Sequence, residues 1–143
     1  MKKILFAIIA VLSTVPTLWA DEKVIDQSAL PQSAQTFVST HYPSDKVSIS
    51  TMERDGFTRS YKVILTNGVK VEFDDKGDWT EVKSKGKQGV AESVVPDAIS
   101  QYVKDKFPSN RIVQIERDKR TIEVELNGDI DLTFNLKGDF IGY

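Results

Sequence analysis

The sequence predicts an α+β domain built from two copies of one unit, each a helix followed by four antiparallel strands (α-β4-α-β4). Three observations lead to this fold class. Residues 61–79 return as residues 122–140, with the apolar positions in step at a shift of 61. A helical pattern at residues 30–43 returns at 95–108, at a shift of 65. One short helix per copy cannot cover a separate sheet, so we expect one continuous sheet with both helices on one face.

Each copy opens with a short amphipathic helix. Pro31 suits the first helical turn, where the missing N–H of proline costs nothing, and Val95-Pro96 opens the second helix in the same way. Pro43 and Pro108 end the two helices. Apolar residues at helical spacing predict one buried stripe per helix. These residues are Leu30, Ala34, Phe37, Val38 and Tyr42 in the first copy and Val95, Ile99, Tyr102, Val103 and Phe107 in the second.

The turns between the later strands can be predicted to the residue. Leu65 and Val69 point toward one core only if they pair across a three-residue loop, residues 66–68, whose last residue is a glycine that accepts a positive φ. A two-residue Asn-Gly turn would place the two apolar sets on opposite faces of the sheet. The same loop type at residues 75–77 and 136–138 predicts two further pairs, Phe73 with Trp79 and Phe134 with Phe140.

Earlier strands are predicted at about residues 47–54 and 112–117. The first hairpin tip, residues 54–57, is longer than the second, near residues 118–119, which explains the drop in the repeat shift from 65 to 61. The position of the gap within these strands stays open. Strand alternation predicts the most buried side chains of the sheet: Val63, Val71, Phe73, Val124, Leu132 and Phe134.

The N-terminal residues predict export. Lys2 and Lys3 precede an apolar stretch, residues 4–12, and Leu18-Trp19-Ala20 offers a small residue for cleavage, which together indicate a signal peptide over residues 1–20. The apolar stretch is shorter than the roughly 20 residues of a membrane span. We therefore expect a chain that is periplasmic or secreted in a bacterium, with no membrane anchor after cleavage.

Residues 21–143 suit a single domain. The two repeats cover about residues 30–83 and 95–143, and a linker rich in lysine and glycine joins them at about residues 84–94. The polar residues 21–28 are expected to be a frayed leader.

Composition excludes several classes of function. Removing Lys2 and Lys3 from 19 basic residues leaves 17 against 21 acidic ones, a net charge of −4, which argues against non-specific nucleic-acid binding. The chain has no cysteine, which excludes disulfides, thiol chemistry and a lipid anchor. One histidine cannot form a soft-metal site, and no triad can be built around it. We therefore predict no catalytic, cofactor-binding or metal-binding residue, and no cofactor.

Three features that resemble sites receive ordinary structural interpretations. Asp74, Asp75 and Asp78 lack the alternating oxygen ligands and the distal glutamate of a calcium loop, so a hairpin turn is favoured. His41 falls between positions of the helical stripe and is expected to point to solvent. Trp79 is expected to pack on the core beside Phe73.

The face of the sheet away from the helices is the remaining broad surface. Its predicted residues in the first copy are Lys62, Ile64, Lys70, Glu72, Thr80 and Val82, and those in the second are Thr121, Glu123, Glu125, Asp131, Thr133 and Asn135. A basic first half and an acidic second half could guide a protein partner, and the alternative is an ordinary solvated surface. Phe57 is the most conspicuous exposed aromatic, at a hairpin tip. The candidate partner-binding residues are Phe57, Lys62, Ile64, Lys70, Glu123, Glu125 and Asp131.

Several segments together resemble the PepSY-like family of small exported bacterial proteins. They are Leu30-Pro31, Tyr42-Pro43-Ser44, residues 61–68 and residues 73–79, with counterparts in the second copy. The resemblance covers residues 30–143 and implies the tandem β-lactamase-inhibitor-like fold. The second copy departs from the pattern at Asn127-Gly128-Asp129, at Asn135-Leu136 and at Phe140. The matching residues are core and turn residues, so the resemblance implies much about fold and little about function.

These observations favour an exported, non-catalytic module that binds an unidentified protein on its exposed sheet face. The resemblance adds an inhibitor-like role toward a peptidase or another envelope enzyme. The alternative is a structural or stress-related envelope protein with no single defined ligand. An enzyme that uses only carboxylates, lysine or tyrosine is the least favoured class.

Overall fold

The computed structural model describes residues 21–143, and the signal peptide predicted at residues 1–20 lies outside the described residues. Residues 21–143 form nine strands that pair in one antiparallel sheet, in their order along the chain, and two α-helices. The strands are β1 (Asp21–Ile25), β2 (Val47–Asp55), β3 (Thr58–Leu65), β4 (Lys70–Phe73), β5 (Trp79–Lys83), β6 (Ile112–Arg117), β7 (Thr121–Leu126), β8 (Ile130–Asn135) and β9 (Phe140–Gly142); the helices are α1 (Gln32–His41) and α2 (Asp97–Lys106). The predicted α+β tandem repeat is confirmed.

Both helices cover the same face of the sheet. The ring of Phe37 on α1 meets the ring of Phe73 on β4 with centroids 5.6 Å apart. In the second repeat the ring of Tyr102 on α2 meets that of Phe134 on β8 at 5.4 Å. The six sheet residues predicted to be most buried are all 0–1 % exposed, so the predicted facing of the strands is confirmed.

The predicted turns are also present. Leu65 N–H donates to the carbonyl of Val69 at 2.9 Å, and Gly68 has φ +86°. Phe73 pairs with Trp79, and Phe134 pairs with Phe140. The alternation of apolar residues therefore determined the strand register, because a shift by one residue would turn every core side chain to solvent.

The gap between the two repeats falls entirely in the β2–β3 hairpin tip. Both first strands carry an irregularity at the same place, between Val47 and Ile49 in β2 and between Ile112 and Gln114 in β6, so the shift of 65 holds along them. The pairing of β2 with β3 then continues to Asp55 and Thr58. The pairing of β3 with β4 ends at Tyr61, so this hairpin projects beyond β4.

The prediction that residues 21–28 form a frayed leader is wrong. Residues 21–25 are β1, which pairs with β2 from Asp21 opposite Arg54 to Ile25 opposite Ser50. Polar composition led to the wrong prediction, because an edge strand exposes most of its side chains and needs little apolar sequence. Asp26 then accepts the backbone N–H of Ser28 and begins a short 3-10 turn, residues 27–29.

The prediction that Val82 faces outward is also wrong. The register of β4 with β5 shifts between Glu72 and Phe73: Phe73 pairs with Trp79, whereas Glu72 pairs with Glu81. Thr80 is the extra residue of this β-bulge, and a bulge reverses the alternation of the side chains that follow it. Val82 consequently lies in the core, fully buried, and Glu81 takes its place on the outward face.

Candidate functional site: the outward face of the sheet

The outward face is the face of the sheet opposite the two helices. In an antiparallel sheet directly paired residues share a face, so the register shows which side chains stand side by side. One row crosses seven strands, and the next row runs parallel to it. The first row contains Thr51, Lys62, Glu72, Glu81, Glu116, Glu123 and Thr133. The second contains Ile49, Ile64, Lys70, Lys83, Gln114, Glu125 and Asp131.

Four consecutive glutamates in the first row form what we call the carboxylate row: Glu72, Glu81, Glu116 and Glu123. They lie on β4, β5, β6 and β7, and each pairs directly with the next. Neighbouring strands lie about 4.8 Å apart, so four carboxylates stand side by side across the middle of the sheet. Like charges placed directly opposite one another destabilise a sheet.

The charge of the carboxylate row is compensated at one end only. Lys70 Nζ lies 2.9 Å from Glu72 Oε1 and 3.3 Å from Glu81 Oε1. Burial alone would lower the pKa of Lys70, but its hydrogen bond to Glu72 and the charges of both carboxylates raise it. Within residues 21–143, no basic side chain forms an ion pair with Glu116 or Glu123.

The pKa of Glu116 reflects the uncompensated negative charge of the carboxylate row. Partial burial raises the pKa of Glu116, and the neighbouring negative charges, those of Glu81 and Glu123 first, raise it further. This carboxylate therefore lacks a positive group that would favour its ionised form, and a basic group brought to the row would supply one.

The second half of the outward face is acidic, as predicted, whereas the basic residues predicted for the first half are largely neutralised by ion pairs. Lys62 forms an ion pair with Glu22 of β1, and hydrogen bonds from Lys62 and from Thr51 lower the pKa of Glu22. Lys70 is paired with Glu72 and Glu81. Lys62 and Lys70 are thus paired with carboxylates, whereas Lys83 in the second row forms no ion pair within residues 21–143. The uncompensated charge in the middle of the face is negative.

The structure brings the candidate partner-binding residues together in two groups and leaves one apart. Lys62, Ile64 and Lys70 are neighbours on β3 and β4. Glu123, Glu125 and Asp131 are neighbours on β7 and β8, where Glu125 and Asp131 pair directly. Phe57 is fully exposed at the β2–β3 tip, outside both groups.

Sequence reasoning missed Glu22, Glu81 and Glu116 as residues of this face. Glu22 lies in the strand taken for a leader, and Glu81 was displaced by the bulge. Glu116 lies in β6, whose register depends on pairing with β5 across a linker that carries no periodic signal. The Asp-Lys-Gly-Asp turn before Trp79 marks a hairpin, but it does not show that a bulge follows.

The side-chain interpretations of the turns and of Trp79 are confirmed, whereas that of His41 is wrong. Asp74 Oδ1 accepts the backbone N–H groups of Lys76 and Asp78 at 3.0 and 2.9 Å, as the cap of a hairpin turn. Trp79 packs with Phe37, ring centroids 6.2 Å apart. His41 Nδ1 lies 2.8 Å from Ser93 Oγ, and partial burial lowers the pKa of this histidine. The sequence could not show that the segment between the repeats returns to the end of α1.

A further cleft of the described chain lies between two hairpin ends. An open cleft of about 440 Å³ separates the β2–β3 tip from the β4–β5 turn and is lined by Glu53, Asp55, Asp74 and Asp75. Its walls are exposed hairpin ends, which do not exclude water as catalytic carboxylate pairs require. Within residues 21–143 no group of three or more His, Cys, Asp or Glu side chains is arranged to hold a metal ion.

The match to a family model decides the relationship of this chain to known proteins. The family described as "Putative beta-lactamase-inhibitor-like, PepSY-like" matches residues 18–58 and 59–142. The chain belongs to this family. Its description names resemblance to an inhibitor and no reaction.

Three solved structures from Bacteroides are similar to this PepSY-like protein. A "putative periplasmic protein from DUF2874 family" of Bacteroides vulgatus is 46% identical, with 85% of this chain and 94% of that chain covered and a TM-score of 0.76. A "putative calcium-regulated periplasmic protein" of Bacteroides thetaiotaomicron is 43% identical over the same shares, with a TM-score of 0.80. A second Bacteroides vulgatus "putative periplasmic protein of unknown function" is 33% identical, covering 85% and 97%, with a TM-score of 0.79.

A comparison with proteins of curated function gave no match. In the part of the PepSY-like chain that the structure describes, neither helix has the length and apolar character needed to cross a membrane.

Proposed function

We propose that this PepSY-like protein is an exported, non-catalytic module that binds a protein partner on the outward face of its sheet. The observation that carries the proposal is the carboxylate row, in which Glu116 and Glu123 have no ion-pair partner within residues 21–143. Four aligned glutamates weaken the sheet, so their presence is not explained by the stability of the fold.

A partner with basic side chains would reverse this cost. Lysine or arginine placed over the carboxylate row would favour the ionised form of Glu116, whose pKa is raised in the free protein. The neighbouring row continues the negative surface through Glu125 and Asp131. Complementary charge of this kind increases the association rate and discriminates between partners more than it increases affinity.

The proposed cellular location and the proposed class of partner are based on the similar proteins and on the family description. Three similar proteins are described as periplasmic, and the N-terminal sequence predicts export, so we place this chain in the bacterial periplasm after cleavage near Asp21. The inhibitor-like description of the family suggests an envelope enzyme, such as a peptidase, as the partner.

The experiment compares two charge-neutralised variants as bait in a periplasmic extract. Glu116→Gln with Glu123→Gln removes two charges from the carboxylate row, whereas Asp97→Asn with Asp105→Asn removes two exposed charges from α2 on the opposite face. We expect the unmodified chain and the α2 variant to capture one stoichiometric protein, and the row variant to lose it at moderate salt.

Kinetics with the purified partner sharpen the result. The row variant should show a slower association rate and a flatter salt dependence, because fewer charges steer the encounter. Equal rates for both variants would contradict the proposed surface. A diffuse set of captured proteins would favour the alternative, a structural or stress-related envelope protein.

A further inference from the structure

The two edges of the sheet differ in chemistry. At one edge, the exposed residues of β1 include Asp21, Glu22 and Lys23. At the other edge, residues 140–143 carry no charged side chain, and Ile141 and Tyr143 are 56% and 82% exposed. Charged edge strands discourage pairing with other chains, and an uncharged apolar edge strand invites it. Among residues 21–143, no strand pairs with the outer side of β9.

The internal repeat shows what the outer side of β9 is built to hold. The shift of 61 places β9 on β5: Phe140 corresponds to Trp79 and Tyr143 to Val82. The outer side of β5 is covered by β6, with Ile115 opposite Val82.

An arginine of β6 also covers the aromatic residue of β5. The guanidinium of Arg117 lies 4.2 Å from the centre of the Trp79 ring, and Arg117 Nε donates to the carbonyl of Trp79 at 2.7 Å. This pair combines a cation–π contact with a hydrogen bond. Phe140 stands at the equivalent position on β9, where the ring of Tyr143 lies against it with centroids 5.0 Å apart, and no guanidinium covers it within the described residues.

At the β1 edge of the sheet, β1 pairs with β2 in the same way as β5 pairs with β6. The shift of 65 places β2 on β6, and Ile25 of β1 pairs with Ser50 where Val82 of β5 pairs with Ile115. Strands β2 and β6 thus each have a neighbour of the β5 type. Among residues 21–143, β6 pairs with the outer side of β5, and no strand pairs with the outer side of β9.

We propose that the outer side of β9 binds an extended, antiparallel segment of a partner protein with the pattern apolar–any–arginine. By equivalence with β6, the apolar residue lies opposite Tyr143, and the arginine two positions later lies over Phe140 and donates to its carbonyl. Ser84 N–H donates to the carbonyl of Val113 on β6, so by strand alternation the N–H of Val82 also faces β6. The equivalent N–H of Tyr143 therefore faces the incoming segment.

A partner segment fits this edge better than a second copy of the chain does. The β6 strand of another copy is paired on both sides and is not available. Its β1 edge presents Asp21 and Glu22 and contains no arginine. The β9 edge is also distinct from the carboxylate row, so the proposal stands independently of the proposed function.

The probe is a capped peptide with the chain's own β6 sequence, residues 111–118, Arg-Ile-Val-Gln-Ile-Glu-Arg-Asp. It is titrated into isotope-labelled protein and followed by backbone amide shifts. We expect saturable shifts confined to β9 and the adjacent part of β8. A peptide with Arg117→Ala should bind about tenfold more weakly, because it loses the cation–π contact and a hydrogen bond.

Tyr143→Pro is the matching change in the protein. Proline removes the N–H that faces the incoming segment and leaves the pairing of β9 with β8 through Thr133 and Gly142. Tyr143→Ala is the control, because it loses the same ring contact with Phe140 but keeps the N–H. Peptide binding by Tyr143→Pro that is at least tenfold weaker than by Tyr143→Ala supports the proposal. Absence of shifts at millimolar peptide, shifts at β5 and β7 instead, or concentration-dependent β9 shifts without peptide would each overturn it.

Discussion

The two repeats of this PepSY-like protein share one scaffold, but they differ in how tightly each turn and helix are packed. In the first repeat, a Cβ added at Gly77 would lie 2.3 Å from Ser33 Oγ and 2.6 Å from Pro31 Cβ. In the second, a Cβ at Gly138 would meet only Ala98 Cβ that closely, at 2.8 Å. The first repeat also holds Trp79 between Phe37 and Arg117, whereas Phe140 stacks on Tyr102, with ring centroids 4.9 Å apart.

The repeats thus keep the positions of core and turn residues while the contacts between those residues vary. Phe73 and Phe134 are equally buried, so the centre of each repeat is equivalent. The first repeat gains a cation because β6 follows β5, and its Gly77 turn also lies closer to its helix than the Gly138 turn does. The predictions below test where the two repeats are equivalent and where they are not.

The largest expected effect is equal in the two repeats. Phe73→Ala and Phe134→Ala should each lower the free energy of unfolding by about 3–5 kcal/mol, the loss typical of fully buried phenylalanines. Urea unfolding of both variants measures the loss. A loss below about 1 kcal/mol in either would mean that this ring is not part of the core.

Alanine substitutions at the turn glycines should lower the free energy of unfolding by different amounts in the two repeats. Gly77→Ala introduces a positive-φ penalty of about 1–2 kcal/mol and a clash worth about 1–3 kcal/mol more. Gly138→Ala has the same φ penalty and a milder clash, so it should destabilise less. Gly68→Ala is the control, because nothing lies within 4 Å and only the φ penalty remains. Chemical unfolding should rank the losses in this order, and equal losses at the three sites would refute the packing difference.

Loss of Arg117 should remove a contact that Trp79 has and its equivalent Phe140 lacks. Arg117→Ala removes the contact with the Trp79 ring and the hydrogen bond to its carbonyl, at a cost of about 1–2 kcal/mol. Arg120→Ala, at an exposed position in the following turn, is the matched control and should be nearly neutral. Tryptophan fluorescence should change in the first variant; no change in emission or stability would argue against the stacking.

The β7–β8 turn of the second repeat should tolerate a stabilising substitution at Asp129. Asp129 has φ +58°, whereas its equivalent in the first repeat, at the shift of 61, is Gly68, with φ +86°. Asp129→Gly removes the strain of an L-residue in the left-handed region and should stabilise by about 0.5 kcal/mol after the entropy of glycine is subtracted. Thermal unfolding measures the gain, and a loss of stability would show that the aspartate side chain supports the turn.

The smallest effect tests the carboxylate row. Because the folded-state pKa of Glu116 is raised above its ordinary value of 4.5, ionisation of this group is less favourable in the folded than in the unfolded protein. Its contribution to stability is therefore best below pH 4.5 and is lost as the pH rises through the raised pKa. Glu116→Gln should remove that loss and raise stability at neutral pH by less than about 0.5 kcal/mol, because solvent screens the charge of an exposed carboxylate.

Unfolding at several pH values checks the sign. The stability difference between Glu116→Gln and the unmodified chain should grow from pH 4 to pH 7 and shrink in high salt, which screens the row. Asp105→Asn on α2 serves as the control. A difference that stays constant with pH would show that Glu116 is not coupled to its neighbours.

The sequence by itself determined the repeated unit, the helix stripes and the register of the inner hairpins. These features depend on local patterns: proline at helix ends, glycine at a three-residue loop, and apolar residues such as Leu65 and Val69 that must share a face. The structure confirms each of these features. The register of the hairpins is strongly determined because a shift of one residue would expose a whole row of core side chains.

Only the tertiary structure decided the edge and the outward face. Strand β1 can be polar because it is an edge strand, whose backbone pairs with β2 and whose side chains are mostly exposed. Val82 is buried because a bulge at Thr80 reverses the alternation of inward and outward side chains along β5. The carboxylate row exists only once β5 pairs with β6 across the linker. Pairing between distant strands depends on hydrogen bonds and packing that no local pattern records, so the residues of the candidate site could be placed together only in the folded sheet.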